Sequence, residues 1–201
     1  MTQDKHLYIF KKYLPENSVN YCYDLWALHK FSFKVTPPRQ SKFGDYCYRK
    51  DKGHQITVNS NLNPYSFLIT YIHEVAHLVT YKQYGNKKDP HGKEWKQNFL
   101  KTFLPVLSNE VLPPDLLEVL TAYLQNPSAS TQGYTPLVRI LQTYDLQTDE
   151  VPLTSLKEGD QFIIRGQTFV KGLLRRTRYL CTDAKTSKRY VISATALVKK
   201  L

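Results

Sequence analysis

After Pro64 the chain runs twenty residues without a proline or a second glycine-type break, until Gly85 ends the segment. Leu68, Ile69, Ile72, Val75, Ala76 and Val79 recur in it at i, i+3, i+4 and i+7 spacing, which predicts a helix with one apolar face and Gly85 as its C-cap. Along the border of that face lies His73-Glu74-Val75-Ala76-His77. Residues four apart on a helix are separated by about 40° around the axis, so both imidazoles project from one side. A chain built this way must pack the helix into a core while leaving a polar edge open.

Two neutral imidazoles in this arrangement can ligate one Zn²⁺, with positions left for a further ligand and a water. Glu74, one position on, is placed to take a proton from a water activated by such a metal rather than to bind it. An ordinary amphipathic helix with two solvated histidines would share the five-residue pattern, so the surroundings matter. Fourteen residues after His77 stands His91, within Asp89-Pro90-His91-Gly92-Lys93-Glu94-Trp95. It precedes a second helical pattern through Trp95, Phe99, Leu100 and Phe103. A turn after Gly85 can bring His91 back to the first helix as a third ligand, and Gly92 permits a close backbone approach there. Metal-assisted hydrolysis, most simply of a peptide bond, follows from these four residues. Tyr81 and Tyr84 are candidates, by proximity alone, for the donor that stabilises the oxyanion.

These residues carry a family resemblance. His73-Glu74-Val75-Ala76-His77-Leu78 followed by His91-Gly92-Lys93-Glu94-Trp95 resembles the SprT-like family, whose eukaryotic relatives include the Spartan protease that acts on DNA–protein crosslinks. The strand-like run Gln55-Ile56-Thr57-Val58-Asn59, then Leu62 and the helix, also fits. The resemblance covers roughly residues 20–105. It implies a zincin-like fold, His73, His77 and His91 as zinc ligands, Glu74 as catalytic base, and protease activity toward DNA-bound proteins. Many bacterial members carry a C-terminal zinc ribbon of two CxxC pairs, whereas this chain has only Cys22, Cys47 and Cys181 and no CxxC. A second, structural zinc is therefore not expected.

Cysteines that are few, odd in number and widely spaced give no disulfide framework. The first fourteen residues mix Asp4, Lys5, Lys11 and Lys12 with short apolar runs, unlike a signal peptide, and no apolar stretch nears the ~20 residues of a membrane span. The expectation is a soluble, cytoplasmic protein with no membrane partner. Its charge is uneven. Residues 151–201 hold 11 Lys and Arg against 3 Asp and Glu, and residues 1–150 hold 17 against 14, within a total of +11. A basic tail of this kind is an electrostatic footprint for a polyanion, nucleic acid being the commonest, though a merely solvated surface has the same composition.

The rest of the chain supplies the architecture. Residues 4–30 read as helical, divided at Pro15, and Phe31 to Val35 as a short run ended by Pro37-Pro38. Phe43–Arg49 and Gln55–Asn59 read as a strand pair around the turn Lys50-Asp51-Lys52-Gly53, able to bind extended substrate at an edge. A further helix spans Glu110 to Leu124, Asn126 to Thr135 has linker composition, and Leu137 to Tyr144 suits a short helix that docks back. Four strands then follow, at Gln161–Arg165, Gln167–Lys171, Arg178–Thr182 and Lys188–Ser193, with turns at Gly166, Gly172 and Asp183–Ser187.

The fold class is α+β: a zincin-like helical domain with a small antiparallel sheet at residues 1–125, a linker with a short helix at 126–154, and a small basic all-β domain at 155–201. Pairing of the last strands is expected to gather Arg175, Arg176 and Arg178 with Lys188 and Arg189 for phosphates, with Tyr179 and Tyr190 free to stack bases. Lys82, Lys87, Lys88, Lys93, Lys96 and Lys101 add positive charge around the histidines. Two other readings stay open at this point: a nucleic-acid-binding module whose zinc is structural or vestigial, and a metallopeptidase without a nucleic-acid partner.

Overall fold

The computed structural model describes residues 2–39, 41–128, 133–145 and 150–201, which form two compact units, Met1–Asp145 and Leu146–Leu201. The first unit opens with helices α1 (Thr2–Tyr13) and α2 (Val19–His29), divided at Pro15. Strands β1 (Ser32–Thr36), β2 (Gly44–Arg49) and β3 (Gly53–Asn59) follow, then helices α3 (Pro64–Tyr84), α4 (Lys93–Phe103), α5 (Pro114–Gln125) and α6 (Thr135–Gln142).

Both ends of α3 are set by local chemistry. Asn63 is its N-cap, its side-chain oxygen accepting from the Ser66 N–H at 2.9 Å, and Pro64 occupies the first turn, where its missing N–H costs nothing. Gly85 closes the helix with φ 62°. Asn63 also donates to the Leu141 carbonyl at 2.9 Å and to Asp145 at 2.6 Å, which ties the end of α6 to the start of α3.

Tertiary packing fixes the rest. Phe10 of α1, Phe33 of β1 and Tyr71 of α3 meet with ring centroids 5.1–5.3 Å apart, and the Tyr71 hydroxyl donates to the Cys22 carbonyl of α2 at 2.8 Å. On α4, Trp95, Phe99 and Phe103 stand at i, i+4 and i+8, all fully buried. Burial of each such ring is worth roughly 2–3 kcal/mol of transfer free energy. Asn98, on the same helix, donates to Thr80 and Gln83 of α3, both at 2.9 Å. So α3 is clamped from three sides, and the side that carries the histidines is held to the tolerance of the core.

The small sheet has the order β1-β3-β2. The hairpin expected from the sequence is present as antiparallel β2 and β3, and β1 adds in parallel to β3, making the sheet mixed. β2 is left as an edge strand, beside α3.

The second unit contains β4 (Glu150–Pro152), β5 (Gln161–Ile164), β6 (Gln167–Arg175), β7 (Arg178–Asp183), β8 (Arg189–Ser193) and β9 (Leu197–Lys200). All pairings are antiparallel, in the order β4-β9-β5-β6-β7-β8. Leu153, Leu156, Phe162, Phe169, Cys181 and Val198 form its core. Three sequence expectations change here. Gly172 is not a turn: β6 runs through it to Arg175, with a bulge between Lys171 and Leu174. A Cβ at Gly172 would run into the Leu180 carbonyl, so only glycine fits this bulge. The chain reverses instead at Arg176-Thr177, just before the expected strand Arg178–Thr182, with Arg176 at φ 58°. β4 and β9 were not read from the sequence at all.

The sequence-based division at residues 125 and 155 differs from the compact units, because α6 packs on α5 and β4 pairs with β9. Residues 129–132 and 146–149 of the expected linker lie outside the described residues. Among the described residues no helix is long and apolar enough to cross a membrane.

Candidate metal centre

His73 and His77 project from one side of α3 as their spacing requires, and the turn after Gly85 returns His91 to them. The Nε2 atoms of His73 and His77 are 3.1 Å apart, and those of His73 and His91 are 3.4 Å apart. All three residues have ligand nitrogens within 4.8 Å of one another. Zinc bound at 2.0–2.1 Å in tetrahedral geometry holds its nitrogens about 3.3–3.4 Å apart, so this donor set fits Zn²⁺.

The protonation state fits as well. Burial pushes His73 down to about 3, helped by the charges of His77 and His91. It pushes His77 down to about 4, with His91 acting the same way and Asp45 opposing. His91 is also lowered by burial. All three imidazoles are therefore neutral near pH 7, the form that ligates a metal.

Trp95 is the wall behind them. Its ring lies 4.7 Å from His73, 5.3 Å from His77 and 4.7 Å from His91. Phe99 extends this wall, stacked on Trp95 at 5.0 Å. On the opposite side Tyr46 of β2 lies parallel to the His77 ring at 6.5 Å, and its hydroxyl is held by His54 Nδ1 at 2.9 Å. Neither Tyr46 nor His54 was singled out in the sequence. The usable signal was strand alternation, which puts Gly44 and Tyr46 on one face of β2.

Glu74, on the border of the apolar face of α3, is only 7% exposed. The covering element is β2, whose Gly44 lies directly against it. Burial, with Asp45 in the same direction, pushes its carboxyl up to about 8, against Arg39, Lys42 and the Tyr46 backbone N–H. Glu74, the three histidines, Tyr46 and Tyr81 line one cleft of about 760 Å³, with Lys42 and Asp45 on one side and Lys88 and Asp89 on the other.

Tyr81 lines this cleft, whereas Tyr84 lies outside its lining, 39% exposed, with Lys88 over its ring. The lysines are more committed than their number suggests. Lys88 pairs with Glu94 at 2.7 Å, Lys82 donates to the His29 carbonyl, and Lys96 donates to Asn126. Gly92 is close to Asp89, 3.2 Å from where its Cβ would be, so it shapes the turn into α4 rather than the metal side.

A family model for the SprT-like family matches residues 10–104. Over this segment, just under half of the chain, the protein is similar to the SprT-like family. A stretch of 47 residues is 53% identical to protein SprT of Vibrio parahaemolyticus serotype O3:K6 (strain RIMD 2210633), covering 21% of this chain and 28% of that protein. The match thus spans little more than a quarter of that relative. No solved structure matches the chain. The matched segment contains all four residues gathered here and ends before the basic sheet.

In that sheet the basic groups are distributed differently from the sequence expectation. Arg175 pairs opposite Arg178 across β6 and β7. Arg178, however, faces Ser193, and Arg189 faces Thr182, at opposite ends of the β7–β8 ladder. Four residues of strand separate the two rows by roughly 13 Å. The two tyrosines differ: Tyr179 packs on the hydrophobic cluster with the Lys171 ammonium 3.9 Å above its ring, whereas Tyr190 meets Phe169 edge-on at 5.6 Å and stays 45% exposed. Arg165, Arg175, Arg176, Arg178, Lys185, Lys188 and Arg189 are exposed and, among the described residues, form no ion pair.

Proposed function

We propose that this chain is a cytoplasmic, zinc-dependent metallopeptidase that cleaves proteins held on DNA, including proteins crosslinked to it. One observation carries the reading: three neutral imidazole nitrogens at metal-ligand spacing share a cleft with a buried carboxylate. Zn²⁺ held by His73, His77 and His91 would supply Lewis-acid activation of a water and of the scissile carbonyl. The chain's own part is proton movement and positioning. Glu74 accepts the proton of the attacking water at its carboxylate and returns it to the leaving amine; burial favours its protonated form, which suits the second step, and the charge of a metal held beside it would favour the ionised form that the first step needs. Trp95 keeps the imidazoles at one spacing and excludes water from behind them. β2, an edge strand beside the cleft, offers backbone groups to an extended peptide.

The nucleic-acid part of the proposal is supported by seven exposed basic side chains of the second unit that, among the described residues, form no ion pair. Guanidinium and ammonium groups suit phosphates, and with Tyr179 packed on the core, Tyr190 is the tyrosine of the pair left exposed to stack on a base. Substrate is then selected by being on the same DNA, so cleavage of free protein is feeble and DNA stimulates it.

Glu74→Gln tests the central claim. The variant keeps about one zinc per chain and loses cleavage by roughly 10²–10⁴-fold. Undiminished cleavage removes Glu74 from the mechanism, and a zinc-loaded wild type that cuts nothing leaves a binding module with a structural metal. Equal rates with and without DNA leave a peptidase with no nucleic-acid partner.

A further inference from the structure

The β2–β3 hairpin contains two glycines, and they are glycines for different reasons. Gly53, in the turn, has φ 71° and open space around it, so backbone conformation demands it. Gly44 has no positive φ, and its backbone would accept any residue. What Gly44 lacks is room. A Cβ there would stand 2.6 Å from Oε1 and 2.8 Å from Cγ of Glu74, and 2.7 Å from Cγ2 of Thr70. Ordinary contact begins near 3.4 Å, so something must move by close to 1 Å.

Two of the three candidates for that movement are held in place. The strand is fastened by its pairing with β3, Gly44 opposite Val58. Just before Gly44, the Asn59 N–H donates to the Phe43 carbonyl and the Asn59 side chain donates to the Lys42 carbonyl, both at 2.9 Å. Thr70 is β-branched and its hydroxyl donates to the Ser66 carbonyl at 2.7 Å, so turning its methyl away breaks that bond. The Glu74 carboxylate, at the end of a flexible side chain, is what gives.

We propose that Gly44 is a positioning residue: the space its side chain would fill is the seat of the Glu74 carboxylate, and a larger residue displaces that carboxylate from its place beside the three histidines. The catalytic meaning rests on the hydrolase reading above, but the contact itself can be tested without it. A misplacement of about 1 Å in a catalytic group costs on the order of 100-fold in rate.

The experiment compares wild type, Gly44→Ala, Glu74→Ala and the double variant in the full chain. Gly44→Ala keeps about one zinc per chain and KM within about twofold, while kcat falls about 100-fold. Its thermal midpoint drops by several degrees. In the Glu74→Ala background two of the three close contacts are gone and only the Thr70 methyl remains, so the same substitution costs less than that drop. A kcat within twofold of wild type, or an equal thermal loss in both backgrounds, overturns the assignment. Should Gly44→Ala alone fail to fold, the comparison is repeated with Thr70→Ser, which removes the methyl and keeps the hydroxyl that donates to Ser66; there the Glu74→Ala, Gly44→Ala protein folds, and its failure to do so overturns the assignment as well. If the wild type cleaves nothing, the hydrolase reading falls, and the thermal comparison alone decides whether Gly44 seats Glu74.

Discussion

The two units treat polar chemistry in opposite ways. In Met1–Asp145 the reactive groups are inside: Glu74 is buried, His73 and His77 are half-buried, and Trp95 closes the space behind them. In Leu146–Leu201 the rings are turned in and the charges out, with Phe162, Phe169 and Tyr179 around the core and arginines at the surface. A group in a dry site interacts strongly with few neighbours, so its loss is individually severe. Charges in water act through a summed, salt-screened potential, and each is worth little alone. Perturbations of the first unit are therefore expected to be all-or-none, and those of the second graded.

The largest effect tests the first half of that contrast. Residues that only support metal ligands cost 10–100-fold in affinity when removed, so loss of a ligand costs about 100-fold or more. His91→Ala is expected to lose most of its zinc in dialysed protein measured by mass spectrometry. A full complement of zinc in the variant would mean that α3 binds metal without the returning loop.

A middle-sized effect concerns acid and base stability of the metal-free protein. The folded-state values of His73 and His77, about 3 and 4, lie below their ordinary value near 6.5. Their contribution to stability is full above pH 6.5 and is lost as pH falls toward 4. Glu74 behaves in the opposite sense: its folded value near 8 lies above its ordinary 4.5, so its contribution is present below pH 4.5 and is lost as pH rises toward 8. In chelator-treated protein, thermal midpoints should fall on acidification below pH 6.5. Glu74→Gln, which cannot ionise, should be the more stable form at pH 8. Identical alkaline behaviour of the two proteins would show that the carboxyl is not held in a dry place.

The smallest and most graded effect belongs to the sheet. Arg175→Ala combined with Arg178→Ala removes two facing cations and should lower the slope of log affinity against log salt by about 2 for duplex DNA, uniformly across sequences. An unchanged slope would take this pair out of the interface.

How much of this was legible in the sequence depends on how local each cause is. The bounds of α3 were readable because Pro64 and Gly85 act within one turn. The return of His91 was readable through a paired motif. Gly44 was not, since the atoms that exclude a side chain there belong to Thr70 and Glu74, on another element. In the second unit Gly172 resembled a turn but is a bulge, set by the neighbouring strand's carbonyl. The true reversal uses Arg176 in a left-handed conformation that no glycine or asparagine announces. Register then decided which arginines meet, and register depends on where that reversal falls.

Trp95 gives the first unit an optical property. Its indole touches all three imidazoles, has no exposed surface, and its Nε1–H is buried without a hydrogen-bond partner among the described residues. The other tryptophan, Trp26, stacks on His6 and donates to the Phe31 carbonyl at 2.9 Å, away from the cleft. One fluorophore thus sits against the metal site and the other reports only on the fold. Titration with a paramagnetic ion such as Co²⁺ would darken the emission of Trp95 and spare that of Trp26, so site occupancy can be followed by native fluorescence in the unlabelled protein.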